Sequence, residues 1–371
     1  MQFQINRDVL LKSLAIAHNI IERKNTLPIL SNVLLEIKNS KLNVIATDLD
    51  LLFLDEISDL KIEKEGSTTT SATVLYDILK KLPANTEVSF ALQNENKLNI
   101  SADKSKFNLL CLPVDNFPNL NESFSTDGLN INGTKFLSLL NKTKISMSND
   151  ETRHYLNGIY IHLTESEKKS YLTGVSTDSH RLSSSSISLN QADNFKPFIL
   201  PKKTVFQLCN LIQDNNDDVV LKSSENKIQF QIGKSKIISK VIDGKFPDYK
   251  KVVPQNNQKI LKVDTKDFIN SVERVITVSI DRKEGVKIAL KKDQIELFVN
   301  SSSSGEGKEN LKASYNSEDL TVGFNSRYLL DIASEIKDQK LIMNLNDSVS
   351  PVLIQDNSDT NSYFVIMPMK I

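Results

Sequence analysis

One order, a strand, an amphipathic helix and further strands, is spelled three times along this chain, and it constrains the fold more than any single motif does. The middle copy is the plainest. Leu129-Asn130-Ile131-Asn132 alternates as a short strand, and Gly133 and Thr134 open a helix. Phe136, Leu137 and Leu140 then fall at helical spacing, while Lys135, Ser138 and Lys142 take the other face. Phe3-Gln4-Ile5-Asn6 is followed in the same way by Leu10, Leu11 and Leu14, and Leu261-Lys262-Val263-Asp264 by Phe268, Ile269 and Val272. A spacing of roughly 130 residues is that of whole domains rather than of solenoid repeats. Each third also holds a second helix with apolar residues on one face: Leu75, Ile78, Leu79, Leu82; then Val205, Leu208, Cys209, Ile212; then Leu329, Ile332, Ala333, Ile336. The pattern predicts an α+β chain of three tandem domains, 1–125, 126–255 and 256–371, each made of two β-α-β-β-β halves. Asp115 to Leu120 and Phe246-Pro247-Asp248-Tyr249 close the first two thirds at corresponding points.

Composition narrows the class. With 39% hydrophobic residues in 371 the chain can bury several cores, and its formal net charge is zero. There is no global pull toward nucleic acid or an anionic membrane, so any basic surface must be offset by acid elsewhere. Cys111 and Cys209, far apart in sequence, argue against a disulfide framework and for a reduced, cytoplasmic setting. The start, Met1-Gln2-Phe3-Gln4-Ile5, enters a strand without the apolar core of a signal peptide, and no apolar run approaches membrane-spanning length. The expectation is a protein with no membrane partner.

Catalytic readings are weak. The acidic run from Asp48 to Glu56 offers paired carboxylates, but Thr47-Asp48 recurs at Thr177-Asp178 in a different context, which suggests a structural turn. Ser179, Asp178 and His180 are the parts of a nucleophilic triad, yet there is no nucleophile elbow, and neighbours on one strand cannot converge. His18, His154, His162 and His180 show no zinc spacing, and Gly305-Glu306-Gly307-Lys308 lacks the frame of a phosphate loop and reads as a hairpin tip. The expectation is a chain without catalytic residues, metal or cofactor.

Charge is distributed unevenly. The helical windows 7–24, 71–82, 133–146, 201–213, 265–279 and 325–338 carry more Lys and Arg than Asp and Glu, and the two of the middle third, with Lys135, Lys142, Lys144, Lys202 and Lys203, contain no acid. Helices gathered on one side would make that side basic, a surface that holds phosphates without reading bases. Tyr76 and Tyr328 are the few aromatics for stacking unpaired bases, so duplex fits better than single strand.

Several stretches together resemble one family, the bacterial sliding clamps, β subunits of DNA polymerase III. They are Thr26-Leu27-Pro28-Ile29-Leu30, Tyr155-Leu156-Asn157-Gly158, Thr177 to Leu182, Val241 to Tyr249, Asn346-Asp347-Ser348-Val349-Ser350 and Met367-Pro368-Met369-Lys370-Ile371, spread in order over the whole chain. The resemblance implies a DNA-clamp fold and a head-to-tail homodimer closed into a ring, with helices lining the hole and sheets outside. Such a ring tethers a polymerase to duplex DNA and catalyses nothing. Partners implied are sequence-independent double-stranded DNA, the polymerase III catalytic subunit, the clamp loader, and other polymerases and repair proteins that dock by linear motifs.

Carried over by motif, the family's peptide pocket would use Leu156, Thr177, Ser179, His180, Arg181, Leu182, Pro247, Val252, Val349, Pro351, Val365, Ile366, Met367, Pro368 and Met369. Phosphates would be met by Lys24, Lys142, Lys202, Lys203 and Arg274. The dimer contact would set Lys104, Lys106 and Phe107 against Ile276, Glu306 and Glu309. The chain departs from the family with Ser179 where glycine is common, Pro351 where serine is common, and Lys250, Lys251 and Lys370 where arginine is common. Val365, Met367 and Met369 share one face by alternation, and Pro368 is expected to interrupt the ladder at a sheet edge. The alternative from another class is a repeated β-rich single-strand binder that does not encircle DNA; a hydrolase is more remote.

Overall fold

The computed structural model describes residues 1–22, 26–94, 96–118, 123–124, 128–166, 168–189, 195–215, 217–279 and 285–370. Six times the chain runs strand, helix, three strands. The first half comprises β1 (Gln2–Asn6), α1 (Arg7–Ile20), β2 (Asn32–Lys38), β3 (Lys41–Thr47) and β4 (Leu51–Ile57), followed by a short extra strand β5 (Lys61–Lys64). The second comprises β6 (Gly66–Ser71), α2 (Ala72–Lys81), β7 (Glu87–Gln93), β8 (Lys97–Ala102) and β9 (Ser105–Leu112). The third has β10 (Leu129–Ile131), α3 (Gly133–Lys144), β11 (Gly158–Ser166), β12 (Lys169–Thr177) and β13 (Arg181–Leu189). The fourth has β14 (Phe198–Pro201), α4 (Lys202–Asn215), β15 (Val219–Ser223), β16 (Lys227–Ile232) and β17 (Ser235–Lys240). The fifth has β18 (Lys259–Asp264), α5 (Thr265–Val275), β19 (Gly285–Lys291), β20 (Gln294–Ser301) and β21 (Gly305–Ser314). The sixth has β22 (Leu320–Asn325), α6 (Ser326–Glu335), β23 (Lys340–Leu345), β24 (Val352–Asp356) and β25 (Asp359–Ile366). The α+β expectation is met.

Five of the six helices, α4 being the exception, begin where a strand ends because the last or next residue of that strand caps them. Asn6 accepts from Asp8 N, Ser71 from Val74 N, Asn132 from Lys135 N, Asp264 from Asp267 N and Asn325 from Tyr328 N. One short polar side chain therefore ends the pleat and satisfies an orphan helix donor.

Two compact units emerge, Met1–Leu137 with Lys203–Val241, and Ser138–Lys202 with Ile242–Ile371. They follow sheet continuity rather than the three-way division of the sequence. In the first, β17 pairs antiparallel with β4, joining them in a sheet ordered β10-β15-β16-β17-β4-β3-β2-β6-β9-β8-β7-β1-β5. In the second, β13 pairs antiparallel with β25 in a sheet ordered β14-β11-β12-β13-β25-β24-β23-β18-β21-β20-β19-β22. In the first unit α1 and α2 lie against each other, with Leu10, Leu14, Ala17, Leu75 and Leu79 fully buried and Phe3 stacked on Phe90 at 4.7 Å. In the second, Phe268 and Val272 of α5 and Leu329 and Ile332 of α6 enter one core with Phe364 and Ile366 of β25. Burial of each such side chain stabilises by about 1.5–3 kcal/mol.

Two local expectations change. On α3 the buried side chains include Phe136, Leu139, Leu140, Thr143 and Lys142, and Leu137 is only half-buried, so the buried face is turned toward Leu139 and Thr143 and away from Leu137. Pro368 does not interrupt an edge strand. β25 ends at Ile366 and is flanked by β13 and β24, so Pro368 follows an interior strand whose second neighbour comes from a distant part of the chain. Gly305 opens β21 opposite Ser301, directly after the turn at 302–304, and Gly307 and Lys308 follow within the strand, so the glycine-rich stretch stands at the tip end of the β20–β21 hairpin, as its sequence suggested.

Candidate functional site

In the second unit the ladder aligns side chains from three remote stretches. Thr177 on β12 stands opposite Leu182 on β13, Leu182 opposite Val365 on β25, and Val365 opposite Leu353 on β24. Because strand neighbours alternate faces, this row lies on one side of the sheet while Phe364 and Ile366 point into the helix-side core. Leu182 and Val365 join Leu156, Val175, Ile199, Phe246 and Tyr249 in a separate apolar cluster, with Tyr155, Tyr160, Ile242, Val253, Leu353 and Tyr363 against it. Gly158, next to the Leu156 turn, is required by close approach, since a Cβ there would stand 2.2 Å from Leu200 O.

The cluster is rimmed by exposed apolar groups. Val252 is 51% exposed, Val349 66%, Met367 37% and Met369 40%, a large share of the exposed large hydrophobics among the described residues. Pro247 is exposed and Pro351 half-buried. Met367 N donates to His180 O at 2.8 Å and Met369 N to Gly323 O at 2.9 Å, so the chain end is held by backbone bonds. A buried apolar floor with an adaptable methionine rim can take apolar side chains of an extended ligand.

The turn that carries His180 is built by Asp178. Its Oδ1 accepts from His180 N and Arg181 N at 3.0 Å each, Thr177 Oγ1 donates to Arg181 O at 2.7 Å, and Ser179 sits at φ 78°. Ser179 thus occupies the left-handed region that glycine takes without strain. Its hydroxyl accepts from Arg153 Nη1 at 2.6 Å. Arg181 is buried: Nε donates to Asp178 Oδ2 at 3.0 Å, Nη1 to Asp331 Oδ2 at 2.7 Å, and the guanidinium lies 4.1 Å from the Tyr328 ring centroid. It braces the turn against α6, whereas His180 is exposed.

Beside the cluster runs an aromatic stack that sequence reading missed. Phe246 stacks on Tyr160 at 5.0 Å, Tyr160 on His162 at 4.5 Å, and His162 Nε2 lies 3.0 Å from Tyr249 Oη. Burial, with Lys250 nearby, pushes the His162 imidazole down to about 4, so it is neutral at physiological pH, and burial pushes the Tyr249 phenol up. Alternation along β11 put Tyr160 and His162 on one face, but nothing local paired them with Phe246 and Tyr249.

The basic residues divide. Lys24 lies outside the described residues. Lys142 is a correction: its side chain is only 2% exposed, and its ammonium is bonded to Asp359. Burial alone would raise the Asp359 carboxyl, yet Lys142 and the Ser362 hydroxyl hold it below its ordinary value. A lysine on the buried side of α3 offers no surface charge. Lys203 Nζ donates to Asp48 Oδ2 at 2.5 Å and Ile20 O at 2.6 Å, while Lys202 Nζ meets the Asn149 amide oxygen. Arg274 is exposed but forks onto Glu309, with Nε at 3.0 Å from Oε2 and Nη2 at 2.5 Å from Oε1.

Among the fourth strands of the six halves, β9 and β21 keep most of one edge unpaired. Ser105–Leu110 of β9 pairs only with β8, because β6 meets β9 at Cys111 and Leu112 alone. Gly305–Lys312 of β21 pairs only with β20, because β18 meets β21 at Ala313 and Ser314. On the first edge Lys104 and Lys106 are exposed, Leu110 is 77% exposed, and Phe107 lines a groove with Val74, Asp77, Ile78, Lys81, Leu82 and Ser105. On the second Glu306 is exposed and Glu309 half-buried under Arg274 and Ser271. Ile276, expected on that surface, is 6% exposed and belongs to the core of its own unit; Thr277 and Val278, next in sequence, reach solvent.

Comparison with known proteins matches three family models in sequence order: the DNA polymerase III beta subunit N-terminal domain at residues 1–121, its central domain at 130–248 and its C-terminal domain at 250–370. The beta sliding clamp of Caulobacter vibrioides is 35% identical over 373 residues, covering 100% of both chains. That of Rickettsia felis is 33% identical, covering 99% of each. Among solved structures, a Bartonella birtlesii DnaN sliding clamp bound to griselimycin superposes with a TM-score of 0.94 at 38% identity, covering 100% of both chains. The Caulobacter crescentus beta sliding clamp gives 0.93 at 35% identity, covering 100% of this chain and 99% of that one.

Proposed function

The chain belongs to the DNA polymerase III β subunit family, the bacterial sliding clamps, and from that premise we propose how it closes around duplex DNA and where it receives its partners. Sliding clamps are non-catalytic processivity factors, and the full-length match of all three family domains in order is the observation that carries this function. The rival readings, an open single-strand binder and a hydrolase, lose their ground with it. DNA and a polymerase are the partners the family implies.

Three domains near 1–125, 126–255 and 256–371 are the units of the proposed ring. What supports closure is a rule of pairing. In each half the fourth strand ends the local sheet; β4 is continued by β17, and β13 by β25. Among these six fourth strands β9 and β21 keep open edges. Pairing β9 of one copy with β21 of a second repeats the rule and closes a head-to-tail, two-fold homodimer. Lys104 and Lys106 then approach Glu306 and Glu309, while Phe107, Leu110 and the groove beside α2 receive apolar groups such as Val278. The helices would line the hole, and Lys202, Lys203 and Arg274, with Lys24, would meet phosphates of any sequence.

The apolar cluster with its Val252, Val349, Met367 and Met369 rim is the proposed dock for linear motifs of the polymerase III catalytic subunit, the clamp loader, other polymerases and repair proteins. The deciding experiment is topological. Loaded onto nicked circular plasmid by a clamp loader, the protein should stay bound through gel filtration and be lost when the plasmid is linearised; retention on linear DNA would mean an open binder instead.

A further inference from the structure

The first unit contains a strand junction built on the same plan as the apolar junction of the second. Thr47, Leu52, Ile238 and Gln229 form a row across β3, β4, β17 and β16, as Thr177, Leu182, Val365 and Leu353 do across β12, β13, β25 and β24. The turns agree bond for bond. Asp48 Oδ1 accepts from Asp50 N at 3.0 Å and Leu51 N at 2.7 Å, Thr47 Oγ1 donates to Leu51 O at 3.0 Å, and Leu49 has φ 77° where Ser179 has 78°. Lys240 N donates to Asp50 O at 2.8 Å, as Met367 N does to His180 O. These bonds equate Asp50 with His180, Lys240 with Met367 and Gln229 with Leu353.

The chemistry at those three places differs. Lys240 Nζ reaches Asp50 Oδ1 at 2.8 Å, an exposed ion pair standing where the second unit has an imidazole and a thioether, and the amide of Gln229 replaces the side chain of Leu353. The apolar pair Leu52 and Ile238 between them is only half-buried, and Leu49 of the adjoining turn is 47% exposed, so apolar surface is available. An apolar ligand laid across it would have to strip water from an ion pair and an amide and return no hydrogen bond. We infer that Asp50, Gln229 and Lys240 are specificity-determining residues that bar the first-unit junction to apolar peptides, leaving each chain one peptide site although its fold repeats the junction twice. The inference rests on the peptide-site reading of the second unit.

The test titrates a labelled peptide from the clamp-binding segment of a polymerase III catalytic subunit into the full chain, with stoichiometry from calorimetry. The unaltered chain takes one peptide, and the triple variant Asp50→His, Gln229→Leu, Lys240→Met takes two. Deleting Met367 to Ile371 removes the binding of the unaltered chain but leaves one peptide on the triple variant. Should the triple variant melt early, the double variant Asp50→His, Lys240→Met alters only exposed side chains, and a second, weaker binding event is expected from it. A folded variant that still takes one peptide overturns the inference, as does an unaltered chain that takes two. If the unaltered chain takes none, or its one peptide survives the deletion, the peptide-site reading fails and carries the inference down with it.

Discussion

Leu182 and Val365 stand directly opposite each other on neighbouring strands although they come from different thirds of the sequence. Their pairing places the end of β25, and hence Met367 and Met369, beside the turn that carries His180. The docking surface is thus a property of one strand junction.

Truncation after Ile366 separates rim from floor. Val365 and Ile366 are buried and belong to interior packing, whereas Met367 and Met369 are exposed and held by two backbone bonds. Removing Met367 to Ile371 is expected to abolish detectable polymerase-peptide binding, a drop well beyond the roughly tenfold that losing about 1.4 kcal/mol of contact would give. The melting temperature should fall by no more than a few degrees. Unchanged affinity in fluorescence anisotropy would place the pocket elsewhere.

Lys142 and Lys202 should behave oppositely on change to alanine. Removing the buried ammonium of Lys142 strands the Asp359 carboxylate, a loss of about 3–5 kcal/mol where a buried pair is broken from one side. Lys202 has a side chain near the surface; its loss should leave denaturant midpoints in place and lower the slope of log binding constant against log salt by about 0.9 on duplex DNA. Equal midpoints for the two variants would refute the assignment of Lys142 to the interior.

The open edge of β9 predicts the oligomeric state. Changing Lys104 and Lys106 to Glu places like charges against Glu306 and Glu309, and Leu110→Asp sets a carboxylate at the most exposed large hydrophobic of that edge. Each change should shift the protein toward monomer in sedimentation, with the secondary structure unaltered. A dimer constant unmoved by all three would mean that β9 is not the mating edge.

Stability should depend on pH through His162. Its folded value of about 4 lies below the ordinary imidazole value of 6.5, so between those limits the unfolded chain binds the proton and the folded chain does not. The contribution is complete above about pH 6.5 and is lost as pH falls toward 4, by at most about 3 kcal/mol for a shift of this size. His162→Gln should flatten that segment of the curve, and the difference between the two proteins in urea melts followed across the window isolates it. Parallel curves would show that the imidazole is not held neutral.

The sequence by itself determined whatever depends on neighbours along the chain. Strand alternation, helix spacing and capping residues such as Asn6, Asp264 and Asn325 act within a few residues, so the repeated halves, the α+β class and the inward face of β25 were legible from one chain. The family motifs added which stretches converge, because they stand for packing already realised in related chains. Tertiary structure decided what depends on pairing at a distance. β25 became an interior strand because β13 lies beside it; Lys142 became a buried partner because Asp359 begins that strand; Ile276 turned inward to pack in the core of its unit. No period in a sequence encodes which remote strand supplies the second ladder, and a helix face can rotate by a fraction of a turn to bury a lysine once a carboxylate awaits it.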